Sequence, residues 1–170
     1  IMGFDVIGYG CTSAATLIGE ERVSAALDRA HPEVANTNPI SAVLAAMEAL
    51  GASRIAVITP YNAQVTTGIV SLLEDRGLDV VAAGSFLEES DATVARITEA
   101  AVADAVREMV CNSAGDPDAE ALDAVFVSCT SLRACGVAAD LESELGVAVV
   151  SSNLAFGWHL LRLAGINDQL

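Results

Sequence analysis

Two four-residue segments of the chain carry nearly the same chemistry. Gly10-Cys11-Thr12-Ser13 follows the apolar run FDVIGY at 4–9, and Ser128-Cys129-Thr130-Ser131 follows DAVFV at 123–127. Each segment sets a cysteine at a strand-to-helix turn. Backbone N–H groups at a helix start favour negative charge there, the setting in which a thiol becomes a nucleophilic thiolate. One Cys-Thr-Ser match is weak. The same context after two separate strands implies an internal duplication that faces two thiols across one cleft. The competing reading makes both cysteines small buried hydrophobes, and their placement at strand ends decides against it. The hydroxyls of Thr12, Ser13, Thr130 and Ser131, with nearby backbone N–H groups, can cradle a carboxylate without any lysine. Tyr61 stands at a third strand end, where its hydroxyl can point into the same cleft; the alternative is a loop tyrosine on the surface.

Positioning these residues requires strands that alternate with helices. Residues 4–9, 54–59, 79–83, 124–128 and 147–150 read as strands, and RIAVIT at 54–59 is a β-branched run of the kind buried on both faces. Helices are predicted from about 14 to 19, from Pro39 to Leu50, and over 63–76, 91–111, 131–145 and 154–164. Asn38 is the predicted cap of the second of these helices, and Gly51 its stop. Residues 20–35 read as a loop with a helical turn, and 112–120 as the longest polar loop. Such alternation predicts an α/β fold of βαβ units with a mostly parallel sheet, in which ligands sit at the carboxyl ends of the strands.

Composition removes several function classes. The 170 residues hold 23 acids against 8 bases, a net charge of −15, which repels phosphate backbones and argues against nucleic acid as a partner. All 8 bases are arginine. Without lysine the chain cannot complete a pyridoxal-phosphate Schiff base, a Walker A loop or a class I aldolase. No apolar run is long enough for a membrane span. No His/Cys cluster has ligand spacing, so no metal is expected. Cys111 and Cys135 read as structural, and Phe156 and Trp158 as packing. Four cysteines without a secretory signal point to a reducing cytoplasm.

The segments GYGCTSA, RIAVITPY, SDATVARI, VFVSCTSL and SSNLAFGWHLLRLAGI resemble the aspartate/glutamate racemase superfamily, within it the maleate cis-trans isomerase and arylmalonate decarboxylase group. The last of them is similar to a branch associated with ectoine utilisation. The resemblance runs from Phe4 onward and implies a pseudo-twofold, two-lobe architecture with one cysteine from each lobe and no cofactor. It divides the chain into 1–35, the remainder of a first lobe whose N-terminal part is missing, 36–150, a second α/β lobe, and 151–170, a C-terminal helix that packs back on the first lobe. That division leads us to expect a homo-oligomer. For maleate isomerases the resemblance implies that Cys11 adds to the substrate double bond and Cys129 moves a proton. For racemases it implies that the pair acts as base and acid on opposite faces of a carbon acid. Arylmalonate decarboxylases typically keep only the second cysteine, so Cys11 speaks against decarboxylation. Tyr61 matches a carboxylate-binding tyrosine. Asp91, in Ser90-Asp91-Ala92-Thr93-Val94-Ala95-Arg96, replaces the amide of a D-N-x-x-V-G-R-like segment and hints at a substrate other than maleate.

Overall fold

A computed structural model describes residues 3–114 and 121–167. In chain order the elements are β1 (Val6–Gly8), α1 (Thr12–Ile18), α2 (Glu20–Ala30), β2 (Ala35–Thr37), α3 (Pro39–Leu50), β3 (Arg54–Thr59) and α4 (Ala63–Asp75). They continue with β4 (Asp79–Ser85), α5 (Asp91–Val94), α6 (Glu99–Ala114), β5 (Ala124–Val127), α7 (Cys135–Leu145), β6 (Ala148–Ser151) and α8 (Ser152–Leu163). The fold is α/β with parallel strands throughout. A four-stranded sheet has the order β4-β3-β5-β6, and a second sheet pairs β1 with β2.

The β-branched runs become the centre of the large sheet because both of their faces are covered. Ile55, Val57, Ala124 and Phe126 point to one side, against Val43 and Met47 of α3, Ile69 and Leu73 of α4 and Ala155 of α8. Ala56, Ile58, Val125 and Val127 point to the other, against Val102 and Val106 of α6 and Ala138 and Leu141 of α7. The period-2 alternation of side chains makes this division automatic. Asn38 caps α3 as its sequence suggests, accepting N–H bonds from Ile40 at 3.0 Å and Ser41 at 3.1 Å. Gly51 closes that helix in the left-handed region, with φ of 66°.

Several local expectations are corrected. Residues 20–35 are not mainly loop: α2 fills most of them, opened by Glu20 and Glu21 at the helix N-terminus and closed near Arg29. β2 follows, a strand not expected from the sequence, and pairs in parallel with β1 from Ala35 to Thr37. The single helix expected over 91–111 is two. The Thr98 hydroxyl accepts the Ala101 N–H at 3.1 Å and starts a new helix, after Ala95 has closed the first by returning its N–H to Asp91. Similarly, α7 begins at Cys135 rather than 131, because the turn after Cys129 consumes the intervening residues. Most of the polar loop expected at 112–120 lies outside the described residues, α6 running on to Ala114.

The final helix links the two sheets. Gly8 of β1 lies under the Phe156 ring of α8, so close that a Cβ there would stand 2.3 Å from its Cζ. Thr37 at the end of β2 hydrogen-bonds His159 of α8 at 2.8 Å. Among the described residues no helix is long and apolar enough to cross a membrane.

Candidate active site

The chemistry-bearing residues gather at the carboxyl ends of the strands. β3 and β5 are neighbours, yet the chain leaves β3 toward β4 on one side and returns to β5 on the other. In an open parallel sheet, diverging connections of this kind leave a crevice between the two strand ends. Tyr61 follows β3 and Cys129 follows β5, so both stand at it. Cys11 arrives from the small sheet, as the N-cap residue between β1 and α1.

The turn after β3 is tightly specified. The Tyr61 N–H donates to the Thr59 hydroxyl at 3.3 Å, and its carbonyl accepts from the Ser85 hydroxyl of β4. Asn62 then caps α4 by accepting the Val65 N–H at 3.1 Å. The turn after β5 is strained. Cys129 has φ of +105° and is 5% exposed. A non-glycine residue in such a conformation costs on the order of 1–3 kcal/mol and persists only where its surroundings hold it. Here its N–H donates to the Ser152 hydroxyl at 2.9 Å, and its sulfur accepts the Ser131 N–H at 3.3 Å. Cys11 is half-buried, its sulfur 3.7 Å from the Ser13 hydroxyl.

The Tyr61 phenol joins these parts. Its hydroxyl lies near Cys129 and Ser13, and the Cys11 thiol is near enough to bear on its ionisation. Burial first, then the Cys129 sulfur, pushes the phenol well above its ordinary range, and the Ser13 contact offsets only part of this. Tyr61 is therefore a neutral O–H donor throughout physiological pH. Two thiols, a fixed phenol and the hydroxyl of Ser13 form a polar cluster that can receive a carboxylate and move protons beside it.

Of the residues singled out in the sequence, Cys11, Ser13, Tyr61 and Cys129 thus come together. Thr130 belongs to the same turn, and its hydroxyl donates to the Gly10 carbonyl at 3.1 Å. Ser131 meets Cys129 through its main-chain N–H, its side chain lying exposed. Thr12 is 1% exposed and turns its hydroxyl inward, donating to Ser152 at 3.0 Å. Asp91 stands exposed as the first residue of α5, with no hydrogen bond to any of these groups. Cys111 and Cys135 are exposed. Phe156 and Trp158 are half-buried against the core, as packing residues would be.

Sequence reading passed over Ser152 and Asn153. Ser152 takes the Cys129 N–H and the Thr12 hydroxyl, and Asn153 donates to the Thr130 carbonyl at 3.0 Å. The signal was the one used elsewhere, polar residues directly after a strand, and Ser151-Ser152-Asn153 meets it at the end of β6.

The arylmalonate decarboxylase family model matches residues 18–170. The chain belongs to the arylmalonate decarboxylase family. It is 31% identical over 131 residues to the arylmalonate decarboxylase of Bordetella bronchiseptica, covering 76% of this chain and 51% of that protein. It is 25% identical over 169 residues to the maleate isomerase of Pseudomonas putida, covering 93% of this chain and 63% of that one. The chain thus spans between half and two thirds of the length of these relatives. Among solved structures, an arylmalonate decarboxylase superposes with a TM-score of 0.82 at 26% identity, over 98% of this chain and 72% of that one. The Nocardia farcinica maleate cis-trans isomerase, caught with a covalently bound succinylcysteine intermediate, has the same fold, with a TM-score of 0.85 at 22% identity over 95% of this chain and 66% of its own.

Proposed function

We propose that Cys11 and Cys129 are the reacting pair of a cofactor-independent enzyme acting on a small carboxylic acid, and that the reaction is cis-trans isomerisation of a maleate-like diacid. The observation that carries this reading is the meeting of both duplicated cysteine turns, joined through Thr130 and Ser152, with Tyr61 beside them. In this scheme the Cys11 thiolate adds to one alkene carbon. A C–S bond forms, and the displaced π electrons pass to the other alkene carbon and its carboxylate. Cys129 delivers a proton to that carbon, leaving a saturated thioether with a freely rotating central bond. After rotation the Cys129 thiolate takes a proton back, the C–S bond breaks, and the trans diacid leaves with Cys11 restored. Tyr61 and Ser13 donate to the carboxylate that carries charge during addition, the point at which fixed donors help most.

Two further readings use the same residues. Decarboxylation has the relative of higher identity behind it and needs only a proton donor at Cys129. Racemisation or epimerisation of an amino acid or an ectoine-derived acid would use both thiols as base and acid, one on each face of the carbon acid.

One experiment separates the three. The protein and its Cys11→Ser and Cys129→Ser variants are incubated in deuterated water with maleate, an arylmalonate, aspartate and ectoine-derived acids, and followed by proton NMR. The isomerase reading expects fumarate from maleate and its loss in both variants. Survival of product formation from the arylmalonate in Cys11→Ser would move the assignment to decarboxylation. Deuterium at the α-carbon of an amino acid would move it to racemisation.

A further inference from the structure

We propose that Ser152 is a positioning residue that sets the spacing of the two thiols, an inference that rests on the two-thiol reading above. Ser152 is 0% exposed and opens α8, directly after β6. Its hydroxyl oxygen accepts at once from the backbone of one cysteine turn and the side chain of the other: the Cys129 N–H at 2.9 Å and the Thr12 hydroxyl at 3.0 Å. Thr12 is covalently next to Cys11. One buried oxygen atom therefore ties two turns that lie far apart in the sequence.

Two neighbouring bonds run in parallel with it. Asn153 donates to the Thr130 carbonyl at 3.0 Å, and Thr130 donates to the Gly10 carbonyl at 3.1 Å. The start of α8 thus braces the Cys129 turn at two successive residues, and that turn bonds the Cys11 turn directly through Thr130. The brace matters because Cys129 is the residue held at φ of +105°. A strained backbone relaxes when a holding contact goes, and the Cys129 N–H is the group that Ser152 fixes. Removing the hydroxyl also leaves that buried N–H and the Thr12 hydroxyl without their acceptor, which favours a rearranged turn over the observed one. Ser152 acts on the chemistry through Cys129 and Thr12.

The test measures the thiol pair directly and needs no substrate. In a background with the exposed Cys111 and Cys135 changed to serine, dibromobimane becomes fluorescent as it bridges Cys11 and Cys129. The bridging rate is compared with the rate of single alkylation by iodoacetamide, read by mass spectrometry. Ser152→Ala is expected to slow bridging about tenfold or more, since small misplacements of reacting groups carry large rate effects. Ile69→Val, a change in the apolar core that removes no hydrogen bond of either turn, is expected to leave the ratio of the two rates unchanged. Thr12→Val should slow bridging similarly, and the double variant little further, because both remove one link. Bridging by folded Ser152→Ala at the parent rate would overturn the proposal. Should that variant not fold, Thr12→Val carries the test with the same two outcomes. A parent that cannot be bridged at all, though both thiols alkylate singly, would overturn the two-thiol reading itself and this inference with it.

Discussion

Raising the pH with and without the Tyr61 hydroxyl isolates what burial does to the site. In the folded chain the phenol is held protonated far above its ordinary value, by desolvation first and by the Cys129 sulfur second. In the unfolded chain it ionises near pH 10, about the value for a free tyrosine. Above that pH the unfolded state binds fewer protons than the folded one, so stability falls as pH rises. The contribution is fully present below about pH 9; at about pH 11, one unit above the unfolded value, roughly 1.4 kcal/mol is lost. For a chain of 170 residues this corresponds to a Tm lower by roughly 3–6 °C. Tyr61→Phe removes the titrating group while keeping the ring. Guanidinium unfolding at about pH 8 and about pH 11 should therefore show the parent losing roughly 1.4 kcal/mol more than Tyr61→Phe between the two conditions. Tyrosinate absorbance at high pH supplies the independent check: the native parent and the variant should titrate alike, and the extra phenol should appear only on unfolding. Equal stability losses in the two proteins, together with an extra tyrosinate signal from the native parent near pH 10, would refute the buried donor.

Gly8→Ala should lower Tm, because the new Cβ would stand 2.3 Å from Phe156 Cζ and 3.1 Å from Leu160 Cδ2, and relief of such overpacking costs about 1–3 kcal/mol. Phe156→Ala in the same chain should recover most of the loss specific to Gly8→Ala, read by a double-mutant cycle of thermal melts. Asn38→Ala should destabilise by about 0.5–2 kcal/mol in chemical denaturation, since it removes the acceptor of two N–H groups at the start of α3. Burial lowers the His159 pKa, so the unfolded chain takes up the proton first as pH falls; acidification from neutrality should destabilise the parent more than His159→Asn, as followed by Tm against pH.

The strands of the large sheet were legible in the sequence because burial on both faces demands an unbroken apolar run, and RIAVIT and AVFV are such runs. The start of α3 was legible for a similarly local reason: an Asn before a Pro satisfies helix N–H groups within three residues of itself. The cysteine turns could be found because each is a local motif that occurs twice. Where a local signal was weak, the reading slipped. β2 is three residues long, and its partner β1 is nearly thirty residues away, so no periodicity within it could reveal the pairing. The break between α5 and α6 rests on one threonine hydroxyl, in a stretch whose apolar stripe reads as continuous.

The site itself divides along the same line. The sequence determined which chemistry was available: two thiols at strand ends, short hydroxyl side chains beside them, a tyrosine at a third strand end, and no lysine to supply an amine or a cationic clamp. Tertiary structure alone decided what those groups do for one another. It brought Tyr61 near Cys129 and Ser13, turned Thr12 inward instead of toward a ligand, left Asp91 outside, and placed one Ser152 oxygen between two turns far apart in the sequence. Hydrogen bonds act over about 3 Å, and strand order alone sets which distant turns come that close. Local sequence can say that a turn exists; only the packing of α8 against both sheets says which turns it joins.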